Sequence, residues 1–173
     1  ENWNRPQKEI DNLMKLLEYY LRTEKKSLDK SNIKIRVIGN LEKIPASLRS
    51  SVKEAKKKTS SNTGMSLIIA LSYGGRQEIV DATKSILLAQ KKGELSIEDI
   101  NEKTFTSFLY TAKIPDPDLL IRTSGELRIS NFLLWQSAYT EFYFTPVSWP
   151  DFKEENFEDA LSHFKLRKRN YGK

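Results

Sequence analysis

Residues 65–76 read Met65-Ser66-Leu67-Ile68-Ile69-Ala70-Leu71-Ser72-Tyr73-Gly74-Gly75-Arg76, and this stretch decides the fold. A short apolar run bounded by turns predicts a strand buried on both faces. The glycine pair then turns the chain into a helix with Ile79, Ala82, Ile86 and Leu87 inward and Gly93 as its cap. On the N-terminal side, residues 33–38 alternate Ile33, Ile35 and Val37 with Lys34 and Arg36, the pattern of a strand. Two helices flank it. Pro6 starts one, with Ile10, Leu13, Leu17 and Leu21 on one face, and Pro45 starts another, with Leu48, Val52 and Ala55 inward. On the C-terminal side, Ser96 caps a short helix, and Phe105, Phe108 and Leu109 mark the next. Residues 118–121 form a strand after the stiff Pro115-Asp116-Pro117, residues 130–139 a helix, and residues 142–144 a strand. Asp151 caps a last helix with Phe157, Leu161 and Phe164 inward. The alternation predicts an α/β fold, a mostly parallel sheet flanked by helices in a single domain over residues 1–173. Ligands then bind beyond the carboxyl ends of the strands, just after Ile38, Ser72 and Ile121.

Composition narrows the chemistry. With 38% hydrophobic and 10% aromatic residues in 173, the chain can build a core. Its apolar runs are far shorter than the ~18–20 residues of a spanning helix. There is no cysteine, so disulfides, thiolate metal sites and thiol nucleophiles are excluded. The net charge of +6 suggests a polyanion partner, but residues 165–173 alone carry five basic residues and no acid. The other 164 residues hold 24 basic against 23 acidic ones, so no nucleic-acid partner is expected. The basic tail is either a solvated terminus or an element of binding or assembly.

Phosphate-loop fingerprints and a nucleophile elbow are missing, and the single His163 reads as a surface or helix-packing residue. Anion chemistry remains. Arg122-Thr123-Ser124-Gly125-Glu126-Leu127-Arg128-Ile129-Ser130 places two guanidiniums and small hydroxyls between a strand and a helix start. That is the chemistry a phosphate or diphosphate needs, and equally that of an ordinary loop with surface salt bridges. Gly74-Gly75-Arg76 is a second such junction or simply a tight turn. Asn2, Trp3 and Arg5 combine an amide, a flat ring and a cation, which also suits a packed helix cap. Glu141 lies among Trp135, Ala138, Tyr139, Phe142 and Tyr143, and a carboxylate there should be salt-bridged or metal-bound.

The run IRTSGELRISNFLLWQSAYTEFYF with the later WPDF, the opening ENWNRP, NTGM at 62–65 and SYGGR at 72–76 resembles the cis-prenyltransferases, the undecaprenyl diphosphate synthase family. The resemblance runs from Glu1 to about Gly172. It implies condensation of isopentenyl diphosphate with an allylic diphosphate, farnesyl or geranyl, to a cis-polyprenyl diphosphate and pyrophosphate with Mg²⁺. It implies that Arg122, Arg128 and Ser130 hold isopentenyl diphosphate, that Glu141 helps hold Mg²⁺ and that Glu126 supports that site. Arg5 is similar to the arginine for the allylic diphosphate, and Asn2 and Trp3 to a loop that closes over the substrates. Met65 falls at the bottom of an expected hydrophobic product tunnel, whose walls include Ile10, Leu13 and Leu17 unless these serve the core.

Three departures accompany the resemblance. The family's DGNGRW-type segment and first strand would precede Glu1, so the fragment alone is expected to lack those strands and to be inactive. Leu127 replaces a histidine that some members place near the metal. Asn170-Tyr171-Gly172 stands where an R-x-G motif reaches into the partner's site across a homodimer. The alternative is therefore a non-catalytic or partner-dependent subunit of a heteromeric prenyltransferase. The resemblance further implies a cytoplasmic protein, peripheral to the membrane that takes its lipid product, or a plastid protein if the source is a plant.

Overall fold

A computed structural model describes residues 6–167, so Asn2, Trp3, Arg5 and Asn170 lie outside the described residues. The chain divides into two compact units, Glu1–Ala112 and Lys113–Lys173.

The first unit opens with helix α1 (Gln7–Lys30), started by Pro6 as expected. Its inward face, Ile10, Met14, Leu17, Leu21 and Leu28, repeats every three or four residues. Strand β1 (Lys34–Ile38) and helix α2 (Ala46–Lys58) follow, then strand β2 (Ser66–Ala70). β1 and β2 pair in parallel from Lys34 opposite Ser66 to Ile38 opposite Ala70, with α2 as the crossover. Leu21, Ile35, Ile44, Leu48, Val52, Ala55 and Leu71 form the core. Lys25–Glu54 at 2.8 Å and Ser47 donating to Glu18 at 2.9 Å tie α1 to α2.

Polar residues fix the ends of this ladder. Buried Thr59 donates to the Ala55 carbonyl at 2.9 Å and accepts from the Ile35 N–H at 3.0 Å, welding the end of α2 to β1. The NTGM stretch works the same way. Asn62 donates to the Ile33 carbonyl at 2.9 Å, and the Thr63 N–H donates to Asn32 Oδ1 at 2.9 Å. Gly64 packs so closely that a Cβ would stand 2.4 Å from the Asn32 carbonyl oxygen. At the carboxyl end, Gly39 has φ +105°, and a Cβ there would stand 2.1 Å from the Leu71 carbonyl oxygen.

β2 differs from expectation: Ser66, Leu67 and Ala70 are exposed. Among the described residues it is paired on one side only, with β1, so it lacks the double cover its apolar run suggests. Helix α3 (Gly75–Lys91) buries Gly75, Glu78, Ala82, Ile86 and Ala89, a stripe spaced three or four residues apart. Leu87 is far around the helix from that stripe and 61% exposed, not inward. Ser96 caps a 3₁₀ turn at Ile97–Asp99, and Asn101 caps the short helix α4 (Glu102–Ser107).

The second unit holds strands β3 (Leu119–Arg122) and β4 (Glu141–Phe144) and helix α5 (Glu154–Leu166). β3 and β4 are also parallel, with Leu119 opposite Glu141 and Arg122 opposite Phe144. The predicted helix at 130–139 is absent, and the stretch is a chain of turns. Ser130, Asn131 and Leu133 have φ of +46°, +62° and +48°, which a right-handed helix cannot contain. Asp151 ends a 3₁₀ turn, and the start of α5 is instead held by Asn156, which accepts from the Lys153 N–H at 2.9 Å. Ala160 is the buried centre of α5, while Phe157 is exposed. No helix among the described residues is long and apolar enough to cross a membrane.

Candidate functional site

β3 delivers Arg122 at its carboxyl end, and residues 123–130 form the loop beyond it. The loop is pinned to the exit of β4. The Thr145 N–H donates to the Arg122 carbonyl at 2.9 Å, the Gly125 N–H to Thr145 at 2.9 Å and the Ser124 N–H to Val147 at 2.8 Å. Those amides are committed to the fold. With no helix starting at Ser130, an anion here relies on side chains, Arg122, Arg128 and the hydroxyls, more than on helix N–H groups.

The loop is strained. Ser124, Ser130, Asn131 and Leu133 all adopt φ between +46° and +67°. Among the described residues outside this stretch, only Asn32 and Ser72 are non-glycine residues with positive φ. Each such residue costs on the order of 1–3 kcal/mol and persists where surrounding structure over-determines it, as at binding sites. Glu126 and Arg128 pair directly, side chain to side chain. This keeps a solvent-facing guanidinium tethered beside the turn. Leu127 between them is 77% exposed, and its hydrocarbon side chain offers no ligand.

Glu141 is placed elsewhere. It starts β4, three register steps from the Arg122 end, roughly 10 Å along the ladder. Strand alternation also turns it to the opposite face. Glu141 and Tyr143 share one face, while Arg122, Phe142 and Phe144 share the other, with the two phenylalanine rings stacked at 6.0 Å. The Glu141 face looks onto α5. There the Tyr143 hydroxyl donates to Asp159, and its ring lies 5.4 Å from the ring of His163. Glu141 itself is salt-bridged. Arg167, just past α5, donates from Nη1 to Glu141 Oε2 at 2.7 Å and from Nη2 to the Phe142 carbonyl at 3.1 Å.

Thus Arg122, at the end of β3, and Glu126, Arg128 and Ser130, on the loop that follows, lie on one continuous segment, and Glu141 lies on the other face of the same ladder. Arg167 was legible only as charge in the basic tail; the signal for it was the demand that Glu141 be paired. In the first unit, Met65 is exposed just before β2. Of the three candidate wall residues on α1, Ile10 is buried and Leu17 packs on the core, leaving Leu13 exposed with Leu16 and Tyr20 along one outer stripe. Lys15, Glu18, Tyr19, Arg22 and Thr23 line a shallow, open depression on another side of the same helix.

The sequence model of the undecaprenyl diphosphate synthase family matches residues 1–172. An isoprenyl transferase of Bacillus subtilis (strain 168) is 51% identical over 172 residues, covering 99% of this chain and 66% of the relative. The ditrans,polycis-undecaprenyl-diphosphate synthase ((2E,6E)-farnesyl-diphosphate specific) of Micrococcus luteus is 46% identical over 172 residues, 99% of this chain and 69% of its own length. The crystal structure of lavandulyl diphosphate synthase from Lavandula x intermedia, in complex with dimethylallyl diphosphate, superposes with a TM-score of 0.96 at 42% identity, over 99% of this chain and 75% of that one. The chain spans about two thirds of the length of the curated relatives it matches. With a family match from end to end and relatives near half identity, the chain belongs to the undecaprenyl diphosphate synthase family of cis-prenyltransferases.

Proposed function

We propose that this chain elongates a cis-prenyl diphosphate, joining isopentenyl diphosphate to an allylic diphosphate with loss of pyrophosphate. The observation that carries this is the Arg122–Ser130 loop. In a chain of this family, two arginines and two hydroxyl-bearing strained turns lie at the carboxyl end of β3. Arg122 and Arg128 bind the diphosphate of isopentenyl diphosphate through guanidinium forks, and Ser130 adds a hydroxyl donor. Glu126 orients Arg128 through their ion pair. Arg5 takes the allylic diphosphate, and Asn2 and Trp3 close over the bound pair. The apolar stripe of Leu13, Leu16 and Tyr20 supplies hydrocarbon-facing wall for the growing chain, and exposed Met65 contributes to the end of that path.

The donors suit Mg²⁺ rather than a softer metal. Glu141 offers one partly shielded carboxylate, an oxygen donor. Mg²⁺ is content with one or two carboxylates, phosphate oxygens and retained waters. Bound there, it would neutralise charge developing on the departing pyrophosphate. Farnesyl diphosphate is the first candidate primer, after the Micrococcus relative, and dimethylallyl diphosphate the second, after the Lavandula structure. A homodimer peripheral to a membrane, in the cytoplasm or a plastid, accords with a lipid product. Asn170, in place of the R-x-G arginine, favours a second reading, a subunit that needs a different partner for turnover.

The test is incorporation of labelled isopentenyl diphosphate by the full-length protein, with Mg²⁺ and farnesyl, geranyl or dimethylallyl diphosphate in turn. Label should enter a butanol-extractable polyprenyl product with at least one primer. No incorporation alone but turnover with a homologous second subunit would select the partner-dependent reading.

A further inference from the structure

We propose that Arg167 is the resident counter-ion of Glu141 and competes with a divalent cation for its carboxylate. The proposal rests on the reading that Glu141 helps hold that cation. The Arg167 guanidinium grips β4 at two points, the Glu141 carboxylate at 2.7 Å and the Phe142 carbonyl at 3.1 Å. Its place is fixed by α5. The Arg167 N–H donates to the Phe164 carbonyl at 3.2 Å, closing the helix, and one turn earlier His163 packs on Tyr143, whose hydroxyl is held by Asp159. α5 therefore delivers this guanidinium to the face of β4 that carries Glu141.

The Glu141 side chain is only 25% exposed, against 48% for Arg167. A carboxylate so shielded is costly to leave without a compensating charge. Arg167 supplies that charge when no cation is bound. A divalent cation draws on the same carboxylate charge that Arg167 neutralises through Oε2, so its arrival weakens the 2.7 Å bond. Arg167 thereby sets the apparent cation affinity, and cation binding is coupled to the end of α5. Because the pair is partly solvated, the competition is modest, about two- to fivefold in affinity.

The experiment is a Mn²⁺ titration of the full-length protein, followed by electron paramagnetic resonance of free Mn²⁺ with inorganic diphosphate present. The wild type is compared with Glu141→Gln, Arg167→Gln and Arg167→Lys. Glu141→Gln should weaken Mn²⁺ binding. Arg167→Gln should tighten it about two- to fivefold, and Arg167→Lys, which keeps the charge, should stay near the wild type. Unchanged or weaker binding in Arg167→Gln, with Glu141→Gln weakened, would overturn the competition while leaving the role of Glu141 intact. Equal tightening in both Arg167 variants would overturn the counter-charge explanation. Unchanged binding in Glu141→Gln would overturn the reading of Glu141 itself, and the competition with it.

Discussion

Glu78 is a carboxylate with 1% exposure, on the inner face of α3 and outside every role assigned above. Its Oε2 accepts from the Tyr73 hydroxyl at 2.6 Å, and its Oε1 accepts from the Tyr110 N–H at 2.8 Å. Tyr73 belongs to the turn after β2, and Tyr110 follows α4, so one side chain joins three segments. Glu78→Ala removes, among its contacts, these two hydrogen bonds to a charged acceptor, worth roughly 1.5–3 kcal/mol each. It also leaves a cavity, but it relieves the several kcal/mol cost of burying the charge. The balance is a loss of about 2–4 kcal/mol. Glu78→Gln keeps the shape and the oxygen facing Tyr110, and should lose about 1–2 kcal/mol. Urea unfolding followed by far-UV circular dichroism measures both. A Glu78→Ala variant as stable as the wild type would refute the reasoning, because it would mean that burying the charge cost as much as the contacts of Glu78 return.

Three further outcomes are expected. Asp81 accepts from the Tyr110 hydroxyl at 2.5 Å, and this bond, ahead of one from Gln77, holds its carboxyl below the ordinary 3.8. Burial, then Asp81, pushes the Tyr110 phenol above its ordinary 10.0. Stability should therefore be lost as pH falls through the lowered Asp81 value and again as pH rises beyond about 10, where the unfolded phenol ionises first. Urea midpoints from pH 3 to 11 should show both limbs flattened in Tyr110→Phe. Gly39→Ala forces a side chain onto φ +105° and into the Leu71 carbonyl, costing about 1–3 kcal/mol in backbone strain and more in the clash, read by the same midpoints. Arg128→Ala should raise KM for isopentenyl diphosphate about 10- to 100-fold with little change in KM for the allylic primer, as loss of a charge-assisted contact predicts; equal changes in both would reassign it.

The regular elements were legible because their signals are local. Pro6 and Pro45 announce α1 and α2, and the alternation at 33–38 announces β1. The turns at 130–139 were not, because the apolar run Phe132-Leu133-Leu134-Trp135 scans as helix. Nothing in a leucine signals that it will sit at φ +48°. Leu87 lies off the buried face of α3 because that face runs through a glutamate, Glu78, which hydropathy assigns to solvent. The arginine loop was legible as anion chemistry, and its family only through the motifs around it. The pairing of Glu141 was expected from its apolar neighbours, but its partner lies 26 residues away and is brought to it by the packing of α5 on β4. That Glu141 and Arg122 face opposite ways follows from register, which no local pattern carries.

The geometry of the newly made double bond tests the central claim most directly. The full-length protein is given farnesyl diphosphate, isotopically labelled isopentenyl diphosphate and Mg²⁺, and the extended product is examined by nuclear magnetic resonance. Cis-prenyl elongation predicts that every added unit carries a Z double bond. Added units with E double bonds, or a coupled product that contains no unit from isopentenyl diphosphate, would contradict it.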